Sequence, residues 1–464
     1  MSLATPVARI VAESNSPLLA APASWTRAPL GQVASILNGY AFPSRAFHRT
    51  EGFPLIRIRD VGNTSTSLYF GDAYDPKYVV EKGDLLVGMD GDFRASIWDG
   101  QPALLNQRVC KVIPDPTRLR VRFLGYILPG YLNAIHGLTS STTVTHLSSR
   151  DLQQLPIPVP SLKEQDVLVA HLDVVAQKRA AVETHISACT ATLTHLRQSI
   201  LMAGCFGRLT AEWRHGKHQK EVSAMLARIR ASGKASGRQS RRTIPNAAGY
   251  TSTKLPTQWT WARCGDLCLP ARALTYGVIK LGESVPDGVP TLRSSNVRYL
   301  EIDLRGVKSI SPSISEAYQR TVLHSGEIVV TVRGTLGGVA VVPEELRGFN
   351  VSREVAVVPI HPSMNAQFFA YAIGSLPVQN SLTGISKGVA YTGINIEDLK
   401  VLSLPVPPRA EQDEIVRRIE MLLGLASSIN ARADDASARL GAVTVSALAS
   451  ALVGDRVLPD LVSN

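Results

Sequence analysis

No run of about 18 or more apolar residues, the length a membrane-crossing helix needs, occurs anywhere in the 464-residue sequence. The opening segment "MSLATPVARIVAESNSPLLAAPAS" also lacks the long apolar block of a secretion signal. The chain therefore reads as soluble and cytoplasmic. Cysteine is scarce: Cys110, Cys189, Cys205, Cys264 and Cys268 form an odd, scattered set. No second CxxC or His pair completes a zinc site around Cys264 and Cys268, and two ligands alone do not make one. These are expected to be buried thiols, and no metal site is expected.

Catalytic signatures are missing as well. There is no G-x-x-x-x-G-K-[ST] phosphate loop, no G-x-G-x-x-G opening a helix, no H-E-x-x-H and no G-x-S-x-G elbow. "RGTLGG" at 333–338 comes nearest to a phosphate cradle, but it lies between strand-like "EIVVTV" and "VAVVP" and reads as a tight hairpin. The Asn-Pro-Pro-aromatic tetrapeptide of adenine methyltransferases and a nuclease-type carboxylate cluster are absent, and the ten histidines show no ligand spacing. A fused enzyme is thereby disfavoured.

What is present is a chain with 45% apolar residues, long enough for two or more packed domains. Its formal charge of +11 is unevenly placed. Residues 25–157 carry 14 Lys and Arg against 11 acids, residues 259–404 carry 13 against 12, and residues 211–258 carry 10 against 2. The excess thus sits in a connecting stretch that reads either as a solvated tether or as a polyanion contact.

The chain also repeats itself. "APASWTRAPLGQV" at 21–33 matches "LPTQWTWARCGDL" at 255–267, pairing Trp25 with Trp259 and Gly31 with Gly265. In the same order, "PLIRIRDV" (54–61) pairs with "PTLRSSNV" (290–297), "KGDLLVGM" (82–89) with "SGEIVVTV" (325–332), and "VTHLSSRDL" (144–152) with "YTGINIEDL" (391–399). The offset drifts from 234 to 247 and then stays there. One part of each copy varies in length; the part that follows it does not.

The variable parts read as mixed α/β, with strands such as "DLLVGM", "EIVVTV" and "EVAVVPI". Each closes on a proline-rich phrase, "PIPVPSLKEQ" at 156–165 and "LPVPPRAEQ" at 404–412. Proline fixes φ and lacks an amide hydrogen, so these phrases run extended. A helix follows at once, with Ser161 and Glu164 in a capping box or Pro408 at its start.

Apolar residues then recur at spacings of four and three. The first seam runs Leu168, Leu172, Val175, Arg179, Val182, Ile186, Cys189, Leu193, Leu196 and Ile200, and Arg179 is its one polar member. The second runs Ile415, Ile419, Leu422, Ala426, Ile429, Ala433, Ala436, Leu440, Val443 and Ala447. Such narrow stripes must be buried on something, either the other copy as a coiled coil or another subunit. At 1.5 Å per residue each helix is a rod roughly 60 Å long.

Two variable domains, each opened by a Trp-containing segment and closed by an "L-P-x-P-P-x-x-E-Q" phrase leading into a long helix, resemble the specificity subunit of type I restriction-modification enzymes. "LRQSILMAGCFGRLTAEWR" at 196–214 is similar to the phrase ending that family's central helix, and "EQDEIVRRIEMLLGLASSINARADDASARL" at 411–440 to the distal one. The copy ending "VSALASALVGDRVLPDL" lacks the Phe and Trp-Arg portion.

The resemblance implies an α+β (mixed) fold: two repeated α/β target recognition domains separated by two long antiparallel conserved helices in a coiled coil, with a pseudo-twofold repeat. The segments are then an N-terminal extension (1–24), recognition domain 1 (25–157), central helix (158–210), basic linker (211–258), recognition domain 2 (259–404) and a distal helix with tail (405–464). It further implies a non-catalytic chain that reads a bipartite, asymmetric double-stranded DNA target. The chain itself would bind no cofactor; two modification (methyltransferase) subunits supply the S-adenosylmethionine chemistry, and restriction (translocase/nuclease) subunits use ATP and Mg2+.

Arg suits guanine in the major groove, Asn and Gln suit adenine, and Ser or Thr reach either. Loops beside the repeat-matched strands are the expected contact sites. In the first domain these are Arg57, Arg59, Arg94, Ser96, Gln107 and Arg108, with Ser141, Thr143 and Thr145. In the second they are Arg293, Ser295, Asn296, Arg298, Arg333, Thr335, Arg353 and Lys387. A scaffold whose repeated domains bind protein partners is the competing class. If the helices act as a ruler, lengthening both by one heptad changes the permitted gap in the DNA target and leaves the two half-site sequences intact. Methylome mapping of cells carrying the lengthened protein checks this, and altered half-sites would refute the ruler.

Overall fold

The computed structural model describes residues 6–14, 16–91, 93–139, 146–216, 222–233, 248–387 and 393–453. The chain divides into two compact units, one of residues 1–187 with 434–464 and one of residues 188–433. Both cuts fall inside the long helices, a first arm at Leu162–Cys205 and a second at Arg409–Val453. Each unit therefore holds a recognition domain, the start of that domain's own arm and the end of the other arm. The sequence alone suggests arms that stand as segments of their own, whereas in the structure their ends belong to the two compact units. An arm with one apolar stripe makes no core alone, so its ends join the cores of the domains.

In the first unit, Leu168 and Leu172 from the start of one arm share a buried cluster with Trp25, Phe123, Leu152 and with Ala451 and Leu452 from the end of the other. In the second unit, Ile415 and Ile419 join Ile200, Leu201, Cys205, Trp259 and Phe368. Start packs on end, so the arms run antiparallel within each unit. Leu168, Leu172, Leu193, Ile200, Ile415 and Ile419 are buried, and Val175, Ile186, Leu422 and Leu440 are half-buried. By contrast Val182, Leu196, Ile429 and Val443 are 40%, 43%, 44% and 60% exposed, which departs from the closed seam drawn from the sequence. A straight α-helix drifts by about 20° per heptad against a 3.5-residue repeat, so a heptad stripe does not stay on one face.

Each domain has its own four-stranded sheet, of the same topology in both. In the first, strands Ala34–Asn38, Val109–Pro114, Leu85–Gly88 and Ala95–Ile97 lie in that spatial order, with antiparallel neighbours. In the second the order is Thr275–Tyr276, Val355–Val358, Ile328–Thr331 and Val339–Val341, again antiparallel. Beside it each domain has a parallel pair, Phe53–Ile56 with Ala103–Leu105 and Val289–Leu292 with Asn350–Val351. What is built around these pairs differs: a five-stranded sheet in the first copy, a three-stranded one in the second.

The two repeated phrases are strand partners. Thr26–Pro29 pairs antiparallel with Pro156–Val159, and Thr260–Arg263 with Ser403–Val406. Each is a two-stranded ribbon, so prolines without a donor face its free edges. The Glu-Gln that follows does more than start a helix. Trp25 Nε1 donates to Glu164 Oε1 at 3.2 Å, and Trp259 Nε1 donates to Glu411 Oε2 at 2.8 Å. Gln165 donates to the Pro160 carbonyl and accepts from the Arg120 amide, at 2.9 and 2.7 Å. Gln412 donates to Pro407 and accepts from Asn365, at 2.8 and 2.7 Å. Even the next residue repeats its role, since Asp166 takes Arg120 and Asp413 takes the Asn365 amide group.

The two clamps differ in strength. Glu164 also caps its own helix through Ser161, whose hydroxyl and amide donate to it at 2.6 and 2.8 Å. The Ser161 hydroxyl, its amide and the Trp25 indole hold the Glu164 carboxyl below its ordinary range against the opposing effect of burial. Glu411 is fully buried and receives Thr210 Oγ1 at 2.7 Å and Arg214 Nε at 2.9 Å. At the positions 247 residues after Thr210 and Arg214 the sequence has Val457 and Leu461, neither a donor.

Segments read as peripheral are packed. In the N-terminal extension, helix Val7–Glu13 buries Val7, Ile10 and Val11 in the first unit's core. In the basic linker, Ala211–Arg214 is helical, Val222, Leu226 and Ile229 of helix Val222–Gly233 are buried, and Tyr250 donates to the Ser403 carbonyl. The described linker is therefore largely docked, not a tether. Removing one partner of a buried ion pair costs about 3 kcal/mol or more, whereas losing an exposed capping box costs about 1 kcal/mol. Glu411→Ala is thus expected to destabilise its unit far more than Glu164→Ala does. Hydrogen exchange resolved along the chain checks this, and equal effects would show the two clamps to be equivalent.

Candidate nucleic-acid interface

Each four-stranded sheet ends in a knot of loops held by backbone bonds. In the first domain the Gly39 amide donates to Val109, Tyr40 donates to Leu105, Met89 donates to Arg108 and Leu147 donates to Met89. In the second, Gly277 donates to Val355, Val278 to Val351, Val332 to Glu354 and Ile394 to Val332. Tyr40 bridges Asn106 where Val278 bridges Ser352, and Asp90 bridges His146 where Arg333 bridges Gly393. The glycines are required by close approach. A β-carbon on Gly39 would fall inside the Asn106 carbonyl, and one on Gly277 inside that of Val351.

Most of the residues singled out from the sequence surround this knot. Arg59, Gln107, Ser295, Thr335 and Arg353 are exposed there, as is Arg94 beside the Gly88 strand end, and Arg333 is half-exposed. Thr335 lies in the turn between Ile328–Thr331 and Val339–Val341, so "RGTLGG" is the hairpin its flanking strands indicated, with Gly334 and Gly337 at positive φ. Arg108 pairs with Asp90 at 2.9 Å, which also holds His146. Arg298 pairs with Asp303, whose carboxyl the Arg305 guanidinium holds well below the usual range. Ser141, Thr143 and Thr145 lie outside the described residues, and of Lys387 only its place at the end of helix Leu376–Lys387 is described.

Four candidates are architectural. Asn296 is 1% exposed; its amide donates to the Asp303 and Arg305 carbonyls while its oxygen accepts from Arg293, so it closes a loop from inside. Arg293 donates to the Gly306 carbonyl across that same loop. Arg57 is bound to buried Asp60 and to Ser67. Ser96 sits half-buried within a strand, its hydroxyl on Ile97. Sequence type cannot separate a polar group facing solvent from one satisfying a turn; the Asx and Arg-Asp spacings of three residues were the available signal. Two loop-tying groups were missed altogether. Glu354 takes Ser294 by hydroxyl and amide, and Asp90 joins two segments 56 residues apart.

No group of three or more His, Cys, Asp or Glu placed to hold a metal occurs among the described residues. All five cysteines are free, and Cys268 donates to the Cys264 carbonyl at 3.3 Å. The neighbouring Cys264 thiol and burial raise Cys268 well above its ordinary value.

The family model for the type I restriction modification DNA specificity domain matches residues 22–188 and 283–434. The chain belongs to that family. Both matched segments end in mid-arm, where the two compact units also divide. Among curated proteins, this family member is 34% identical to the type I restriction enzyme EcoBI specificity subunit of Escherichia coli over 100% of this chain and 94% of that protein. It is 23% identical to the EcoKI specificity subunit of Escherichia coli strain K12 over 95% and 92%. A solved structure described as the basis of complex assembly and conformational transition of the type I R-M system shares the fold, with a TM-score of 0.65 and 17% identity over 94% of this chain and 99% of that one.

Deleting a buried hydrogen-bonding group that leaves partners unsatisfied costs about 1–3 kcal/mol, while an exposed surface change stays near zero. Asn296→Ala is expected to lower the stability of the second unit and Arg353→Ala to leave it unchanged. Denaturant unfolding measures both, and a neutral Asn296→Ala would return that residue to the candidate contacts.

Proposed function

We propose that this chain is the sequence-reading subunit of a type I restriction-modification assembly, each recognition domain reading one half of a bipartite, asymmetric double-stranded DNA target. One observation carries the reading. The same four-stranded sheet, on the same Trp–Glu–Gln clamp, occurs twice with different exposed side chains at the same loop end. Equal frames with unequal tips suit two unrelated half-sites. Exposed Arg, Gln, Ser and Thr at those tips supply donors and acceptors for base edges and phosphates.

The arms support a pairing of partners. Val174 and Met421, Val182 and Ile429, and Leu196 and Val443 are exposed, and each pair is separated by the repeat distance of 247 residues. The same apolar positions offered twice suit two copies of one partner, the modification subunit. In this reading the chain is not an enzyme. S-adenosylmethionine, ATP and Mg2+ act on partner subunits, methyltransferase and translocase/nuclease respectively. No helix among the described residues is long and apolar enough to cross a membrane, in keeping with work on DNA in the cytoplasm.

The test is exchange of residues 259–404 for the corresponding domain of a relative. In the complex with modification subunits, the footprint and the methylated sequence are expected to change in one half-site only. An unchanged footprint would leave the protein-binding scaffold as the better reading.

A further inference from the structure

Tyr40 stands apart among the exposed side chains of the first domain. It is 48% exposed, and its backbone lies in the middle of the loop knot: its amide donates to Leu105 at 2.9 Å and it bridges Asn106, next to exposed Gln107 and Arg108. Gly39 before it admits no β-carbon against the Asn106 carbonyl, so the backbone cannot slide. The ring is braced on two sides. Phe42 meets it edge-on at 5.1 Å and 79°, and Tyr78 lies against it at 5.2 Å and 35°. Phe42 is itself anchored on buried Phe70 at 4.8 Å, and Lys77 sits over the Tyr78 ring at 4.8 Å while paired to Asp75. An aromatic held this firmly with half its surface in water gives up little freedom on binding.

The matched position of the second domain carries no exposed ring, although Tyr276 and Ile279 on either side of Gly277 and Val278 are exposed. Val278, which bridges Ser352 as Tyr40 bridges Asn106, is fully buried. The difference lies at one matched position of two otherwise equivalent frames. In the major groove, thymine presents a feature no other base has, an apolar 5-methyl group, and an apolar side chain is what recognises it. Exposed Gln107 and Arg108, which follow Asn106 in sequence, suit the hydrogen-bonding edges of adjacent pairs.

We propose that Tyr40 packs its ring on the methyl group of a thymine in the half-site read by the first domain, making it a specificity-determining residue. This rests on the chain being a reader of duplex DNA. The ring carbons supply the contact, and the phenol oxygen is dispensable to it. Val278, at the matched position of the second domain, is buried and makes no such contact.

The test uses the full chain with its modification subunits on the target mapped by methylome sequencing, with the half-sites assigned by the domain exchange above. Each thymine, on either strand, is replaced singly by uracil, and affinity is measured at one salt concentration. One uracil in the first half-site is expected to weaken wild-type binding about fivefold, the worth of one buried methyl group. In Tyr40→Ala that penalty disappears, in Tyr40→Phe it persists, and uracils in the second half-site affect wild type and Tyr40→Ala alike. The proposal is overturned if no uracil in the first half-site weakens wild-type binding, a result that needs no variant to fold. It is equally overturned if the penalty survives in Tyr40→Ala, which would place the ring against sugar or a protein partner. Absence of any binding to the mapped target would instead remove the DNA-reading function on which the proposal stands.

Discussion

The structure depends on a hydrogen bond between an indole and a carboxylate, made twice. Trp25 to Glu164 and Trp259 to Glu411 each join the strand that opens a domain to the helix that leaves it. Around that bond the opening strand pairs with the proline strand, and the neighbouring glutamine holds the proline carbonyl and a backbone amide of the domain. Chain entry, chain exit and arm are thereby fixed at one point in each unit. Without it, a stiff proline segment would set a direction for the arm but no rotation about it. The phrase "PIPVPSLKEQ" recurs because a recognition domain needs a rigid seat, and there are two domains.

Above the seat the sequence is free to differ. The four-stranded sheet and its parallel companion pair persist in both copies, since they carry the buried Val, Leu and Ile that close the core. Insertions fall outside them, as five strands against three in the accessory sheets. The loop knot tolerates different side chains because its geometry comes from main-chain bonds and two glycines. Such a frame lets binding residues change without moving the backbone that presents them. The two seats are also unequal: buried Glu411 takes a threonine and an arginine from the segment that follows the first arm, where Glu164 takes the serine of its own cap.

Much of this is legible in the sequence. The repeat, the constant length after each proline phrase and the 4–3 spacing belong to the order of residues along the chain, and they located both domains and both arms. The three partners of Glu411 were not legible, because Thr210, Arg214 and Trp259 lie up to 201 residues from it. Nor was the burial of Asn296, which looks in sequence like any polar loop residue. The docking of the described part of the linker was not legible for a related reason. Its charge is real, but Val222, Leu226 and Ile229 form one helical face within it and find a core to enter.

What the sequence determined by itself is periodic and local: two copies, extended proline exits, helices that start where a cap or a proline permits, and apolar stripes that demand cover. What only the tertiary structure decided is which surfaces supply that cover. It assigned the start of one arm and the end of the other to a single core, left Val182, Leu196, Ile429 and Val443 open, and turned Arg57, Arg293 and Asn296 inward to hold loops while Tyr40 faced out. The reason is physical. Backbone preference acts between neighbours in sequence, whereas burial of a polar or apolar group depends on partners that the chain brings together only once it has folded.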